Sequence, residues 1–204
     1  MPKGLTKWLK CMVNDVESKI IEVARAIFIE EGYSGARMQR IADVAEINKA
    51  LLHYYFRSKE KLYDEVVKDL MGQIASKVIG IIESEDTNTI KIETVVRMYT
   101  EMIEKHPKLP LFIMNEIHDN PERLTLAIDQ LSKKIQKVRY LLSTEVEGGT
   151  FDGLHLFVNL IGMSVFPFLA KPLLSHLFFD ENDNLFSEFI KSRPSVISKT
   201  LNIK

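Results

Sequence analysis

The fold of this chain is decided by residues 41 to 62, which have the sequence IADVAEINKALLHYYFRSKEKL. Apolar side chains at positions 38, 41, 42 and 45 have the spacing of one buried face of a short helix. Glu46 and Ile47 interrupt that period, and Asn48 offers a side-chain oxygen to cap a second short helix, Lys49 to about Tyr55. Two short helices joined by a tight turn predict a helix-turn-helix.

The second short helix divides its side chains between a core and an outward face. Leu51, Leu52 and Phe56 are expected in the core. The others suit nucleic acid, because amide and ammonium groups bind base edges while phenol and imidazole groups bind phosphate oxygens. They are Asn48, Lys49, Ala50, His53, Tyr54 and Tyr55. Ser58 should cap the next helix, where free N–H groups and Lys59 favour a phosphate. The pattern predicts a binding face rather than a catalytic pocket.

Three motifs occur in order between Ile20 and Val66. Residues 24–33 fit A-x-x-x-F-x-x-x-G-Y, residues 41–45 fit I-A-x-x-A, and residues 52–62 fit L-x-x-Y-F-x-S-K-E-x-L. This segment resembles the DNA-binding domain of the TetR family of transcriptional repressors. The chain departs from the family pattern at three positions. Glu46 replaces the usual turn glycine, Arg37 the usual capping threonine, and His53 a common tyrosine. A left-handed backbone at Glu46 would be less comfortable than at glycine.

The resemblance and the residue types together assign roles within the DNA-binding face. The start of the second helix should contact base edges through Asn48 and Lys49, together with Gln39. Phosphates should be held by four further side chains, namely Arg37, Tyr54, Tyr55 and Lys59. His53 can serve either purpose.

Charge is distributed unevenly along the 204 residues, whose formal net charge is −1. Residues 1–62 carry 11 Lys/Arg and 8 Asp/Glu, so this part has a net charge of +3 and residues 63–204 have −4. The positive share therefore coincides with the helix-turn-helix, as DNA binding requires. Cys11 is the single cysteine, which excludes an intrachain disulfide, and the N-terminus lacks the apolar region of a signal peptide. We expect a cytoplasmic protein.

The rest of the sequence predicts further helices and no strands, so the fold class is all-α. A long helix is expected over residues 59–83, and another from a cap at Asn88 or Thr89 to His106. After a short helix through Ile117, an amphipathic stripe begins behind Asn120 and continues to Leu142, ending at Gly148 and Gly149. Two more helices follow, over residues 151–170 and 185–201. We expect two domains: residues 1–62 with three helices and the helix-turn-helix, and residues 63–204 for ligand binding and dimerisation.

The uncharged helix 151–170 invites comparison with a membrane span. Its apolar run is shorter than the roughly 20 residues that a spanning helix needs, and it contains His155, Asn159 and Pro167. We therefore predict a buried interface helix and no membrane partner. His155, Asn159, Gly162 and Phe166 share one face, which can line a pocket or form the seam between two subunits.

Methionine and phenylalanine are frequent after residue 90, and such flexible or broad apolar side chains suit a cavity for a hydrophobic ligand. The candidate lining is Met98, Met102, Phe112, Met114, His155, Asn159 and Phe166. Nucleotide-binding and metal-binding motifs are absent from the sequence, so no cofactor and no metal are predicted. The cluster Glu116, His118 and Asp119 is interpreted as a solvated helix end.

The resemblance implies a homodimer that binds a palindromic, double-stranded operator and represses transcription until a small hydrophobic ligand enters the C-terminal domain. One alternative is a helical dimeric binding protein for a hydrophobic ligand without a DNA-binding role. A weaker alternative is an enzyme with a pocket on Glu116 and His118.

Overall fold

A computed structural model of the chain describes residues 3–130, 133, 136 and 152–201. All regular secondary structure in these residues is helical, which confirms the all-α fold class. The helices are α1 Lys3–Gly35, α2 Met38–Val44, α3 Lys49–Tyr55, α4 Lys59–Ile82, α5 Asn88–Lys105, α6 Leu109–Asp119, α7 Pro121–Gln130, α8 Asp152–Leu169, α9 Lys171–Phe178 and α10 Asp183–Thr200.

The chain packs as two compact units. The first unit comprises residues 1–72 and 116–130, and the second comprises residues 73–115 and 131–204. The division falls inside α4, and it places a segment far along the sequence in the same unit as the helix-turn-helix. The functional boundary between residues 62 and 63 stays a prediction.

The core of the first unit is aliphatic and aromatic, with α1 packed on α2 and α2 packed on α3. Fully burying one such side chain stabilises a fold by about 1.5–3 kcal/mol. The short helices α2 and α3 are therefore held mainly by the core that they share with α1. The buried side chains include Ile20, Ala24, Phe28, Ile41, Ala42, Ala45, Leu52, Phe56, Leu62 and Val66.

The second unit is built on α5, which packs against both α8 and α10. Its buried side chains include Ile92, Val95, Val96, Ile103, Leu160, Phe186, Ile190 and Ile197. Burial also raises the pKa of Tyr99 to about 12, so its phenol stays protonated at neutral pH. The Ser198 hydroxyl donates to Glu93 Oε1 at 3.1 Å, which ties α10 to α5.

The start of α5 differs from the prediction. The cap of α5 is Thr87, whose hydroxyl accepts from the Ile90 N–H at 3.4 Å, so the expectation of Asn88 or Thr89 was wrong. The last helix, α10, is capped by Asn182, whose side-chain oxygen accepts from the N–H groups of Asn184 and Leu185. The predicted stripe residues Leu131, Ile135, Val138 and Leu142 and the helix end at Gly148 and Gly149 lie outside the described residues.

Helix α8 continues through Pro167 to Leu169, and the chain bends by 71° before α9. A proline within a helix has no N–H for the carbonyl four residues earlier, which here belongs to Met163. Arg193 of α10 donates to that carbonyl from Nη2 at 2.9 Å. Among the described helices, none alone is long and apolar enough to cross a membrane, although α8 and α9 together meet the criterion of length and composition.

Candidate nucleic-acid interface

The turn of the helix-turn-helix is held by two backbone hydrogen bonds. The Ile47 N–H donates to the Ala42 carbonyl at 3.0 Å, and the Glu46 N–H donates to the Asp43 carbonyl at 3.1 Å. This pair of bonds is the Schellman arrangement, which requires a left-handed residue directly after the helix. Glu46 occupies that position with φ 57°, so it has the backbone conformation that is less comfortable for a residue other than glycine. Its carboxylate accepts from Lys19 Nζ of α1 at 3.0 Å.

The start of α3 is fixed by Asn48. Its side-chain oxygen accepts from the Leu51 N–H at 2.7 Å, which confirms the predicted cap. Because the oxygen is engaged, the amide NH₂ group remains for a partner outside the helix.

The two faces of α3 differ as predicted. Leu52 is fully buried and Phe56 is 4% exposed, whereas Lys49 and His53 are exposed and Tyr54 is 79% exposed. Tyr55 is half-buried, with its ring 5.6 Å from that of Tyr54 in an edge-on arrangement. A cation, an imidazole and a phenol therefore project from the helix.

Two further predicted contacts lie at the start of α2. Arg37 is exposed and makes no side-chain cap hydrogen bond, so its guanidinium is not committed to the helix start. Gln39 is exposed too, but its amide donates to Asp43 Oδ1 at 2.8 Å. Contact of Gln39 with a base edge would exchange that hydrogen bond for one to DNA.

The start of α4 carries the predicted phosphate site. Ser58 caps the helix, accepting from the Lys61 N–H at 3.2 Å. Lys59 Nζ donates to the Ser34 carbonyl at 3.5 Å and lies 4.7 Å from the centre of the Tyr33 ring. The ammonium group is thus held by α1 residues while keeping further N–H donors for a phosphate.

A cluster behind this site was not anticipated from the sequence. We call Tyr33, Tyr63, Asp64, Glu116 and Arg123 the Arg123 cluster; all of them belong to the first unit. Glu116 is only 4% exposed, so its interpretation as part of a solvated helix end was wrong, while His118 and Asp119 are exposed. Glu116 lies 53 residues from its hydrogen-bond partner Tyr63, and no local pattern signals such a contact.

The candidate ligand residues all lie in the second unit. Met98 and Met102 of α5 are half-buried and Phe112 is buried, whereas Met114 is 45% exposed. His155, Asn159 and Phe166 of α8 are exposed. An open cleft of about 400 Å³ lies in this unit, and Met98 is the predicted ligand residue that lines it. Its other lining residues are Lys77, Gly80, Ile81, Ser84, Asp86 and Thr94.

In the described part of the chain, no three His, Cys, Asp or Glu side chains are grouped to hold a metal ion. The outward face of α3, the capped start of α4 and the positive charge of residues 1–62 define a helix-turn-helix DNA-binding protein. Residues 20–66 match the profile described as "Bacterial regulatory proteins, tetR family". The chain thus resembles the TetR family over residues 20–66 and is a DNA-binding transcriptional regulator.

Relatives extend the similarity beyond that segment. The chain is 24% identical over 173 residues to the "Probable HTH-type transcriptional regulator YttP" of Bacillus subtilis, covering 80% of this chain and 82% of that protein. It is 26% identical over 134 residues to IcaR of Staphylococcus aureus, a negative regulator of the biofilm operon icaADBC, covering 64% of this chain and 67% of IcaR. Since these relatives are transcriptional regulators, they favour a regulator over an enzyme and over a binding protein without a DNA-binding role.

A solved structure shares the fold. FadR of Bacillus subtilis, in complex with stearoyl-CoA, matches with a TM-score of 0.65 at 16% identity, covering 90% of this chain and 96% of FadR. At this identity the match shows the common helical fold alone.

Proposed function

We propose that this regulator is a cytoplasmic, homodimeric repressor that binds a palindromic operator and is released by a small hydrophobic ligand. The observation that carries the proposal is the outward face of α3, where Lys49, His53 and Tyr54 stand clear of a packed core. Residues 1–62 would bind DNA, and residues 63–204 would bind the ligand and the second subunit. IcaR, a relative, is a negative regulator, which supports repression.

Base recognition is proposed for the first turn of α3. Lys49 is exposed, and the Asn48 amide group is free to donate because its oxygen caps the helix. In helix-turn-helix proteins the N-terminal residues of the recognition helix contact base edges in the major groove. Gln39 would join them, and Arg37, Tyr54, Tyr55 and Lys59 would hold phosphates on either side, with His53 in either role.

The division of roles is tested with two alanine variants. A duplex selected by the protein from a random library serves as the specific probe, and a scrambled duplex of equal length as the non-specific one. Lys59→Ala should weaken binding to both probes alike, because it removes a phosphate contact. For the same reason it should reduce the salt slope, the slope of log affinity against log salt concentration, by about one unit. Lys49→Ala should weaken the binding free energy for the specific duplex by about 1–3 kcal/mol and relax the sequence preference at one base pair. If both variants lost affinity equally on both probes, the division between base contacts and phosphate contacts would be contradicted.

Dimerisation is proposed through α8 and α10 as a four-helix bundle, with α9 alongside. Within the described residues, the second unit exposes large apolar side chains on all three of these helices, and contiguous apolar patches usually mark interaction sites. On α8 the exposed face includes His155, Asn159, Gly162 and Phe166. A glycine at its centre permits close approach of a second helix, since a Cβ at Gly162 would meet nothing within the subunit. We therefore propose this face as the subunit seam.

The ligand is proposed to be apolar, with contacts from Met98, Met102, Phe112 and Met114 of α5 and α6. Thioether and aromatic groups adapt to long aliphatic chains and offer few polar contacts. The first probe is stearoyl-CoA, which the structure of FadR contains; its stearoyl chain is the apolar part that these residues would contact, while its CoA group is charged.

Ligand action is tested by titrating stearoyl-CoA into the protein with and without its selected duplex. Coupling between the two sites is reciprocal. The duplex should therefore weaken the binding of acyl-CoA by the same factor by which acyl-CoA weakens the binding of the duplex, about 5- to 150-fold. Equal affinities in the two titrations would exclude release by this compound. Mass spectrometry of small molecules that co-purify with the protein would then identify the next probe.

A further inference from the structure

The Arg123 cluster is anchored by a buried carboxylate. Glu116 Oε1 accepts from the Tyr63 hydroxyl at 2.6 Å and from Asn120 Nδ2 at 3.1 Å. Its second oxygen has no hydrogen bond and lies 3.5 Å from Arg123 Nη1. Burial together with the hydrogen bond to Glu116 raises the pKa of the Tyr63 phenol far above its usual value, so this hydroxyl remains a donor. Loss of a partner would leave the buried carboxylate of Glu116 uncompensated. The carboxylate therefore holds its partners in a fixed geometry.

Arg123 fills the space between two carboxylates and two aromatic rings. Its Nε lies 2.6 Å from Asp64 Oδ1, and its guanidinium carbon lies 4.9 Å from the centre of the Tyr63 ring and 5.8 Å from that of Tyr33. The Tyr33 and Tyr63 rings meet edge to face at 4.9 Å. The guanidinium thus lies within cation–π distance of both rings, which favours keeping the Tyr33 ring beside it.

Tyr33 is also the ring beneath the Lys59 ammonium group. Lys59 Nζ is 4.7 Å from its centre, and the adjacent Ser34 carbonyl accepts from Nζ at 3.5 Å. We propose that Arg123 is a positioning residue for DNA binding, which acts through Tyr33 to hold Lys59 in place for a phosphate. The inference rests on the proposed phosphate contact of Lys59. It extends the DNA-binding machinery to residues 116–130, about 60 positions beyond the helix-turn-helix.

The test measures binding of the full-length protein to a 30-bp duplex of random sequence by fluorescence anisotropy at several salt concentrations. Lys59→Gln should lower the salt slope by about one unit, as expected for one lost phosphate contact. Arg123→Gln should lower the slope by a similar amount, and the double variant should fall no further than Lys59→Gln alone. Arg97→Gln is the matched control, since it removes an exposed arginine of α5 and should leave the slope unchanged.

A second variant separates positioning from folding. Tyr33→Leu keeps every charge of the cluster and an apolar side chain, but removes the ring that both Arg123 and Lys59 approach. It should reproduce the reduced slope, while circular dichroism shows unchanged helix content. If Lys59→Gln lowers the slope and neither Arg123→Gln nor Tyr33→Leu does, the positioning role is wrong and the phosphate contact stands. Additive losses in the double variant would also overturn it, because they indicate that Arg123 contacts DNA independently. An unchanged slope in Lys59→Gln would refute the phosphate contact itself, and the positioning role with it.

Discussion

At the scale of single residues, Glu46 combines an unfavourable backbone with a favourable side-chain contact. A left-handed conformation costs a non-glycine residue about 1–2 kcal/mol, and an exposed ion pair such as Lys19–Glu46 returns about 0.2–1 kcal/mol. We therefore expect Glu46→Gly to raise the free energy of unfolding by up to about 1 kcal/mol in urea denaturation. Lys19→Ala is the control, since it removes the ion pair and leaves the backbone strained. A less stable Glu46→Gly variant would show that the ion pair outweighs the strain.

Residue-scale features were predictable where their signals are local. The Asn48 cap bonds to a residue three positions away, and the turn at Glu46 follows from the helix period that is interrupted there. At α5 the sequence offers three neighbouring candidates, Thr87, Asn88 and Thr89, all of which have side-chain oxygens that can cap a helix. The choice among them depends on where the buried face of α5 settles, which propensity alone does not determine.

At the scale of elements, Arg193 of α10 completes the hydrogen bonding of α8. Pro167 leaves the Met163 carbonyl without its helical donor, and Arg193 supplies one at 2.9 Å. Arg193→Met should lower the free energy of unfolding by about 1–3 kcal/mol, the usual cost of an orphaned buried acceptor. In a Pro167→Ala background the new N–H can bond to Met163, so the same substitution should cost less. Equal costs in the two backgrounds, measured by urea denaturation, would contradict this explanation.

Element order was predictable and element pairing was not. Periodicity and caps located α3, α4 and α10 closely, because helix formation depends on neighbours three or four positions apart. The contacts of Glu116 with Tyr63 and of Arg123 with Asp64 join residues 53 and 59 positions apart. Such pairs have no period, and a lone glutamate near a helix end is usually exposed.

At the scale of the whole molecule, the exposed apolar face of α8 predicts that two subunits associate through it. Phe166 is 61% exposed, and the proposed dimer would bury it in the seam. Phe166→Lys should therefore weaken the dimer by at least about 2 kcal/mol, the loss expected for a central interface residue, without destabilising the subunit. Leu126→Lys is the matched control, since Leu126 is 62% exposed on α7 of the first unit. Sedimentation velocity at micromolar concentration should show a dimer for the wild type and for Leu126→Lys, and a shift toward monomer for Phe166→Lys.

Because two half-sites are held by one dimer, the Phe166→Lys protein should also lose affinity for a full operator while binding a single half-site as the wild-type subunit does. A monomeric wild type, or identical behaviour of the two lysine variants, would show that this face serves another partner.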